Sequence, residues 1–243
     1  MEGEDDLIEP RDACLPHKCQ GCPVASPPSD PATGAISELG QHLGDHVQLQ
    51  SYDDGQNIVR QGDPVKGWWI LRAGRTTIYI TDAEGREHII RIAGPGDILG
   101  TCGLGPSSNY CYGVKAQGEG TQVCFVDRGD FEVLQRKDPQ VVRVLTAHLV
   151  EDLSDTYARI HNLATRTARA RLAHALLDIL SSSSSGRHPT IRMARSELAQ
   201  LIGVSTETCV RILGQFKGEG LVRTQGRDIE VLDIEGLRDL VEG

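Results

Sequence analysis

Between about Ile36 and Asp127 the apolar positions fall in short runs separated by glycine-rich breaks. The strand-like runs are Val47–Gln50, Asn57–Arg60, Gly67–Leu71, Thr76–Thr81, His88–Ile92, Cys111–Ala116 and Gln122–Val126. Asp54-Gly55, Gly62-Asp63-Pro64, Ala73-Gly74, Glu84-Gly85 and Gly94-Pro95-Gly96-Asp97 supply the turns. Many short strands at this spacing predict a β-sandwich or jelly roll. From Asp138-Pro139 the period changes. Val142, Thr146, Leu149, Leu153, Thr156, Ile160 and Leu163 alternate at spacings of four and three. That is the seam of a coiled coil, and so of a parallel dimer; the other reading is a helix packed on its own domain. Glu151, Asp152 and Asp155 flank the seam and would approach their symmetry mates, so the pairing is expected to be marginal. Thr165–Leu180 predicts a further helix, and Ser181–Gly186 a polar loop.

The stretch Arg195–Phe216 has a tighter rhythm. Arg195–Ile202 sets Leu198, Leu201 and Ile202 on one face of a short helix. Gly203 can take positive φ at low cost, which ends that helix and turns the chain. Ser205 or Thr206 then caps a second helix, in which Val210, Leu213 and Phe216 recur at helical spacing. A helix–glycine–helix pair of this kind is the pattern of a DNA-binding helix-turn-helix, although a helical hairpin in a core has the same periodicity. The residues after Phe216 favour the first reading. Leu221–Arg223 and Ile229–Val231 read as a two-stranded wing with Gln225-Gly226 in its turn. Thr206, Glu207 and Arg211 would then stand near the start of the second helix, where base edges are read. Arginine can pair bidentately with guanine and glutamate can accept from the cytosine amino group. Lys217, Arg223 and Arg227 are placed to touch phosphates.

Charge sharpens this picture. The 243 residues allow two domains, and their formal net charge of −9 argues against general affinity for nucleic acid. The charge is segregated, however. Met1–Ala158 carries 13 Lys and Arg against 24 Asp and Glu, Arg159–Arg227 carries 11 against 4, and Asp228–Gly243 carries 1 against 6. Only the helix-turn-helix region is basic, as phosphate contact requires. No apolar run approaches the roughly 20 residues of a membrane span, and the acidic Met1–Asp6 is unlike a secretory signal, so a cytoplasmic protein without a membrane role is expected. No phosphate loop, His-Glu-x-x-His or nucleophile elbow occurs, and no enzyme is expected.

Met1–Thr33 lacks hydrophobic periodicity but contains Cys14, Cys19 and Cys22 at C-x4-C-x2-C spacing. Three thiols in such register suit an iron–sulfur centre completed by a remote fourth cysteine, with a zinc site or a thiol switch that answers another redox signal as alternatives. Pro16, Gly21 and Pro23 favour bends, and His17 and Lys18 would offset thiolate charge. The same spacing occurs in plant-type ferredoxins, so a 2Fe-2S cluster is a further alternative.

The order of strands, long helix and winged helix-turn-helix resembles the CRP/FNR superfamily of bacterial transcription factors. The stretches GDPVKGWWILRAGRTTIYI, IAGPGDILG and LAQLIGVSTETCVRILGQF carry the resemblance, which covers nearly the whole chain. It implies an α+β protein. Residues 1–35 would be a cysteine-rich cluster-binding segment and 36–137 a jelly-roll sensor domain of the cyclic-nucleotide-binding type. Residues 138–165 would be a dimerisation helix and 166–243 a winged helix-turn-helix. The N-terminal thiols resemble the FNR branch, whose members hold an oxygen-labile 4Fe-4S cluster with one further ligand from the jelly roll. Cys124 matches that place best; Cys111 and Cys102 are the other candidates and would otherwise be spare thiols. Cys209, inside the recognition helix, would be structural.

The branch's Glu-x-x-Ser-Arg reads here Glu207…Val210-Arg211, so Val210 would pack on a thymine methyl. The branch aspartate that discourages pairing aligns near Thr156. The cyclic-nucleotide branch uses Gly-Glu and a later arginine, whereas Gly96-Asp97 and Asn109-Tyr110-Cys111-Tyr112 hold no cation. A buried phosphate without one would be costly, so a cyclic nucleotide is not expected. The resemblance thus implies a homodimer on a palindromic double-stranded operator, with RNA polymerase as a partner and with oxygen or nitric oxide as the signal.

Overall fold

A computed structural model of the chain describes residues 47–106, 108–181 and 190–242. Cys14, Cys19 and Cys22, with the rest of segment 1–35 and residues 182–186 of the polar loop, lie outside the described residues. Packing divides the chain into two units. One holds residues up to Arg75 and Pro95–His148; the other holds Thr76–Gly94 and Leu149–Gly243.

In the first unit β1 (Val47–Tyr52) runs antiparallel to β6 (Gly113–Asp127), from Val47 opposite Val126 to Tyr52 opposite Thr121. The sheet order is β1, β6, β3 (Gly67–Thr81) and β4 (Glu87–Ala93), with β2 (Asn57–Val59) added to β6 and β5 (Ile98–Leu99) to β3. Both long strands are single where the sequence predicts two. Ala73-Gly74 does not turn the chain. Gly74 takes φ +82° within β3, and a Cβ there would stand 2.7 Å from Thr121 Cα. The glycine marks a close approach between backbones, a use that looks the same in sequence as a turn.

The core of this unit is Val47, Trp68, Ile70, Ile98, Cys124 and Val126 from the strands. Against them pack Phe131 and Leu134 of α1 (Arg128–Lys137) and Val141, Val144 and Leu145 of α2 (Pro139–Thr165). Trp68 meets Phe131 edge to face, ring centres 5.6 Å apart. The ten-residue α1 is new to the structure. Asp127 caps it by accepting from Gly129 N–H at 2.7 Å.

In the second unit β3 and β4 form a hairpin, Thr76 opposite Ala93 and Thr81 opposite Glu87. It accompanies α3 (Ala168–Ser181), α4 (Arg195–Leu201), α5 (Thr206–Gly218), β8 (Val222–Gln225) and β9 (Asp228–Val231). Helices and wing stand where the sequence places them, and Gly226 turns the wing at φ 55°. Two elements are additional: β7 (Thr190–Arg192), which makes the wing three-stranded in the order β7-β9-β8, and α6 (Ile234–Glu242). The core draws Leu172 and Leu176 from α3, Leu198 from α4, Phe216 from α5, Ile191, Ile229 and Val231 from the sheet, and Leu237 from α6. Among the described residues no helix is long and apolar enough to cross a membrane.

Gly67 begins β3 against β6. A Cβ there would overlap the Val126 carbonyl oxygen and lie 2.7 Å from the Phe125 ring. Gly67→Ala is therefore expected to cost about 1–3 kcal/mol through overpacking. An unchanged urea midpoint would show that this edge yields freely.

Candidate nucleic-acid interface

The start of α4 is held at two points. Glu197 carboxylate accepts from Ala194 N–H at 2.7 Å. The Arg195 guanidinium donates to the carbonyls of Met193 and Arg227 at 3.3 Å and of Asp228 at 3.4 Å, which ties the helix to the turn of the wing. Gly203 then adopts φ +65°, and Val204 N–H reaches back to Ala199 O at 3.0 Å. Ser205 Oγ accepts from Thr208 N–H at 3.2 Å and caps α5.

The buried stripe of α5 is Cys209, Ile212, Leu213 and Phe216. Of the three residues that recur at helical spacing, Leu213 and Phe216 are buried, whereas Val210 is 51% exposed and faces outward with the residues expected to read bases. Its neighbour Cys209, small and apolar, fills the core site in its place. Thr206, Glu207, Val210 and Arg211 therefore share the solvent side, and Lys217 is exposed in the last turn. Burial pushes the Cys209 thiol up to about 11. In the wing Arg227 is exposed, whereas Arg223 pairs with Glu230 across β8 and β9 at 2.8 Å. A phosphate at Arg223 would share it with that carboxylate.

Further residues position the helix. The Arg169 guanidinium lies 5.0 Å from the centre of the Phe216 ring and pairs with Glu219, gripping the far end of α5. Gln200 of α4 accepts from Ile89 N–H of β4 at 3.2 Å. An isolated arginine at the start of a helix carries no sequence signal for either role, and Arg169 and Arg195 were not anticipated.

Along α2, Val142, Thr146, Leu149, Leu153, Thr156, Ile160 and Leu163 are all exposed, whereas Val141, Val144, Leu145 and His148 turn inward. Thr146 and Thr156 donate their hydroxyls to Val142 O and Asp152 O, each at 2.8 Å. Asp152 is paired with Arg91 of β4 at 3.1 Å, so its charge is offset within the chain and contributes less repulsion than expected.

Cys124 is 2% exposed in β6, opposite Leu49 of β1. Cys102 and Cys111 are not spare thiols. They are joined in a disulfide, Cα atoms 6.4 Å apart, across the loop between β5 and β6. Near it, Gly100 sits at φ +75°, and Thr101 N–H donates to Tyr112 Oη at 3.0 Å. Among the described residues no group of three or more His, Cys, Asp or Glu is placed to hold a metal ion.

Residues 170–240 match the Crp-like helix-turn-helix domain, and residues 49–138 match the cyclic nucleotide-binding domain. The cyclic AMP receptor protein of Thermus thermophilus is 29% identical over 198 residues, which cover 82% of this chain and 90% of that protein. A transcriptional regulator of the CRP/FNR family from the same organism superposes with a TM-score of 0.69 at 25% identity, over 80% of this chain and 98% of the other. The chain belongs to the CRP/FNR family of transcription regulators.

Other CRP/FNR relatives agree. The cAMP-activated global transcriptional regulator Vfr of Pseudomonas aeruginosa is 28% identical over 193 residues, 76% of this chain and 90% of Vfr. FixK2 from Bradyrhizobium japonicum superposes with a TM-score of 0.70 at 25% identity, over 80% of this chain and 96% of its own. As a CRP/FNR regulator the chain binds DNA through its helix-turn-helix, and the family is one of regulators, not enzymes. The expectation that set a cyclic nucleotide aside loses its support, because the jelly-roll residues match the cyclic nucleotide-binding model.

With its thiol raised to about 11 by burial, Cys209 carries about one thiolate in a thousand at pH 8. Native protein is expected to leave it unalkylated under conditions that modify it fully in urea. Labelling at the unfolded rate would mean that α5 opens freely.

Proposed function

We propose that this regulator works as a homodimer on a palindromic operator, with α5 of each subunit in the major groove. The observation that carries the reading is the division of α5: one stripe is sunk in the core, and Thr206, Glu207, Val210 and Arg211 stand together outside it. Arg211 reads guanine, Glu207 accepts from cytosine, and Val210 packs on a thymine methyl. Thr206 stands beside them, and Lys217, Arg227 and the Glu230-shared Arg223 contact phosphates. The exposed stripe from Val142 to Leu163 supports pairing through α2, which would set two recognition helices about one DNA turn apart. RNA polymerase is the natural partner of such a dimer at a promoter.

For the signal, the thiol spacing supports a cluster held by Cys14, Cys19, Cys22 and Cys124. A 4Fe-4S cluster is the first choice, with 2Fe-2S or zinc as alternatives. Cys124 lies in β6, which pairs with β1 at Leu49, and β1 is the first described strand after the thiol-bearing segment in the chain. When bound, the cluster supplies a centre that oxygen or nitric oxide dismantles. A cyclic nucleotide is the second reading. Residues 49–138 match the model of that domain, and named relatives are cyclic AMP receptors. Against it, no lysine or arginine lies between Gly96 and Val114.

Arg211→Ala is expected to cost about 1–3 kcal/mol at one base-pair position while leaving the rest of the preference intact; unchanged operator preference in a binding-site selection would overturn the assignment. Ile160→Glu should shift the protein to monomer in sedimentation and lower operator affinity by at least about tenfold. Anaerobic purification separates the signals. A brown protein with stoichiometric iron and sulfide supports the cluster, a colourless one with zinc the zinc site, and tight cyclic AMP binding by calorimetry the nucleotide.

A further inference from the structure

The Cys102–Cys111 disulfide joins two segments that are otherwise held very differently. On the Cys111 side, Tyr110 is buried. Its hydroxyl accepts from Lys66 and Gly67 N–H and donates to Gly67 O at 2.8 Å. Tyr110 N–H donates to Asp63 O, and its carbonyl accepts from Gly62 N–H. This arm is anchored without the sulfur bridge. On the Cys102 side, the single 3₁₀ turn Thr101–Leu104 is tied to its neighbours by Thr101, which meets Tyr112 Oη, by Leu104, half-buried against the core, and by Gly105 O, which accepts from Arg128 at 3.3 Å.

The bridge spans a sequence separation of only nine. A loop that short contributes less through loop closure than a long one would, and the bridge ties no distant parts of the chain together. Cys111 is exposed and Cys102 half-buried, so the bridge faces solvent, whereas Cys124 and Cys209 are buried.

We propose that Cys102 and Cys111 form a reversible thiol–disulfide exchange site whose oxidation state sets whether the 3₁₀ turn ahead of β6 is clamped or released. The co-reactant is a small thiol–disulfide couple of the glutathione or dithiol class. An external thiolate attacks the exposed Cys111 Sγ and breaks the protein S–S bond. Cys102 leaves as a thiolate, and its sulfur lies 3.3 Å from the Cys111 N–H that can stabilise that charge. A second external thiol resolves the mixed disulfide at Cys111. The protein gains two electrons and two protons, and the external couple is oxidised to its disulfide. The reverse reaction consumes a small disulfide.

The tryptic peptide 92–115 contains Cys102 and Cys111 and no other cysteine, so it reports on this pair alone. Full-length native protein is equilibrated in glutathione buffers of stepped poise, quenched with N-ethylmaleimide and digested. The peptide is expected to pass from disulfide to doubly alkylated form in one two-electron step without denaturant. A pair alkylated at every poise, or one that resists excess dithiol until urea is added, would overturn the site. Hydrogen exchange tests the consequence: amides of 101–104 should exchange roughly tenfold faster in the reduced protein, with 108–110 unchanged. Equal exchange in the two forms would sink the clamp. Cys111→Ser should copy the reduced pattern; if it fails to fold, the titration of the native chain still decides.

Discussion

The DNA-facing end of this protein depends on one packing constraint, the rotation of α5 about its own axis. Successive residues on a helix are separated by about 100°, so the choice of buried stripe also chooses which side chains face solvent. Cys209, Ile212, Leu213 and Phe216 fill the core, and this alone turns Glu207, Val210 and Arg211 outward. The ends are then fixed by different chemistry. Ser205 satisfies an orphan N–H at the start, and Arg169 stacks on Phe216 and pairs with Glu219 at the finish. A helix held at both ends and along one side presents its polar face as a rigid surface.

Much of this was legible in the amino-acid order. Periodicity gave the long helix, the helix-turn-helix and the wing because each buries a continuous stripe or alternates cleanly. Where the reading went astray, one residue type served two purposes. Gly74 looked like a turn and is a point of contact between strands; Cys102 and Cys111 looked like spare thiols and are joined to each other. Among the elements that escaped notice, two strands are too short to show a pattern. β7 has three residues and β5 two, and neither length supports a period. Arg195 escaped for another reason: it acts through carbonyls of Met193, Arg227 and Asp228, which carry no side-chain signature.

The loop between β5 and β6 shows how a shared fold accommodates local departure. The domain matches a cyclic nucleotide-binding model along its length, yet this loop has no basic residue and carries a sulfur bridge instead. Tyr110 holds the backbone on one side of this loop by anchoring to Lys66 and Gly67, and the turn at Thr101–Leu104 forms the other side. A scaffold that keeps its path while its loop chemistry changes can be put to new sensory use without repacking its core.

The threonines of α2 bear on how any pairing through that face would respond to temperature. Thr146 and Thr156 already spend their hydroxyl protons on carbonyls four residues back, so joining or parting two such helices makes and breaks none of those bonds. What changes is the wetting of Leu149, Leu153, Ile160 and Leu163. Association driven by that surface alone carries a negative heat-capacity change and a largely entropic drive near room temperature. Such a seam loosens in the cold, and the assembly would follow the thermometer as well as its chemical cue.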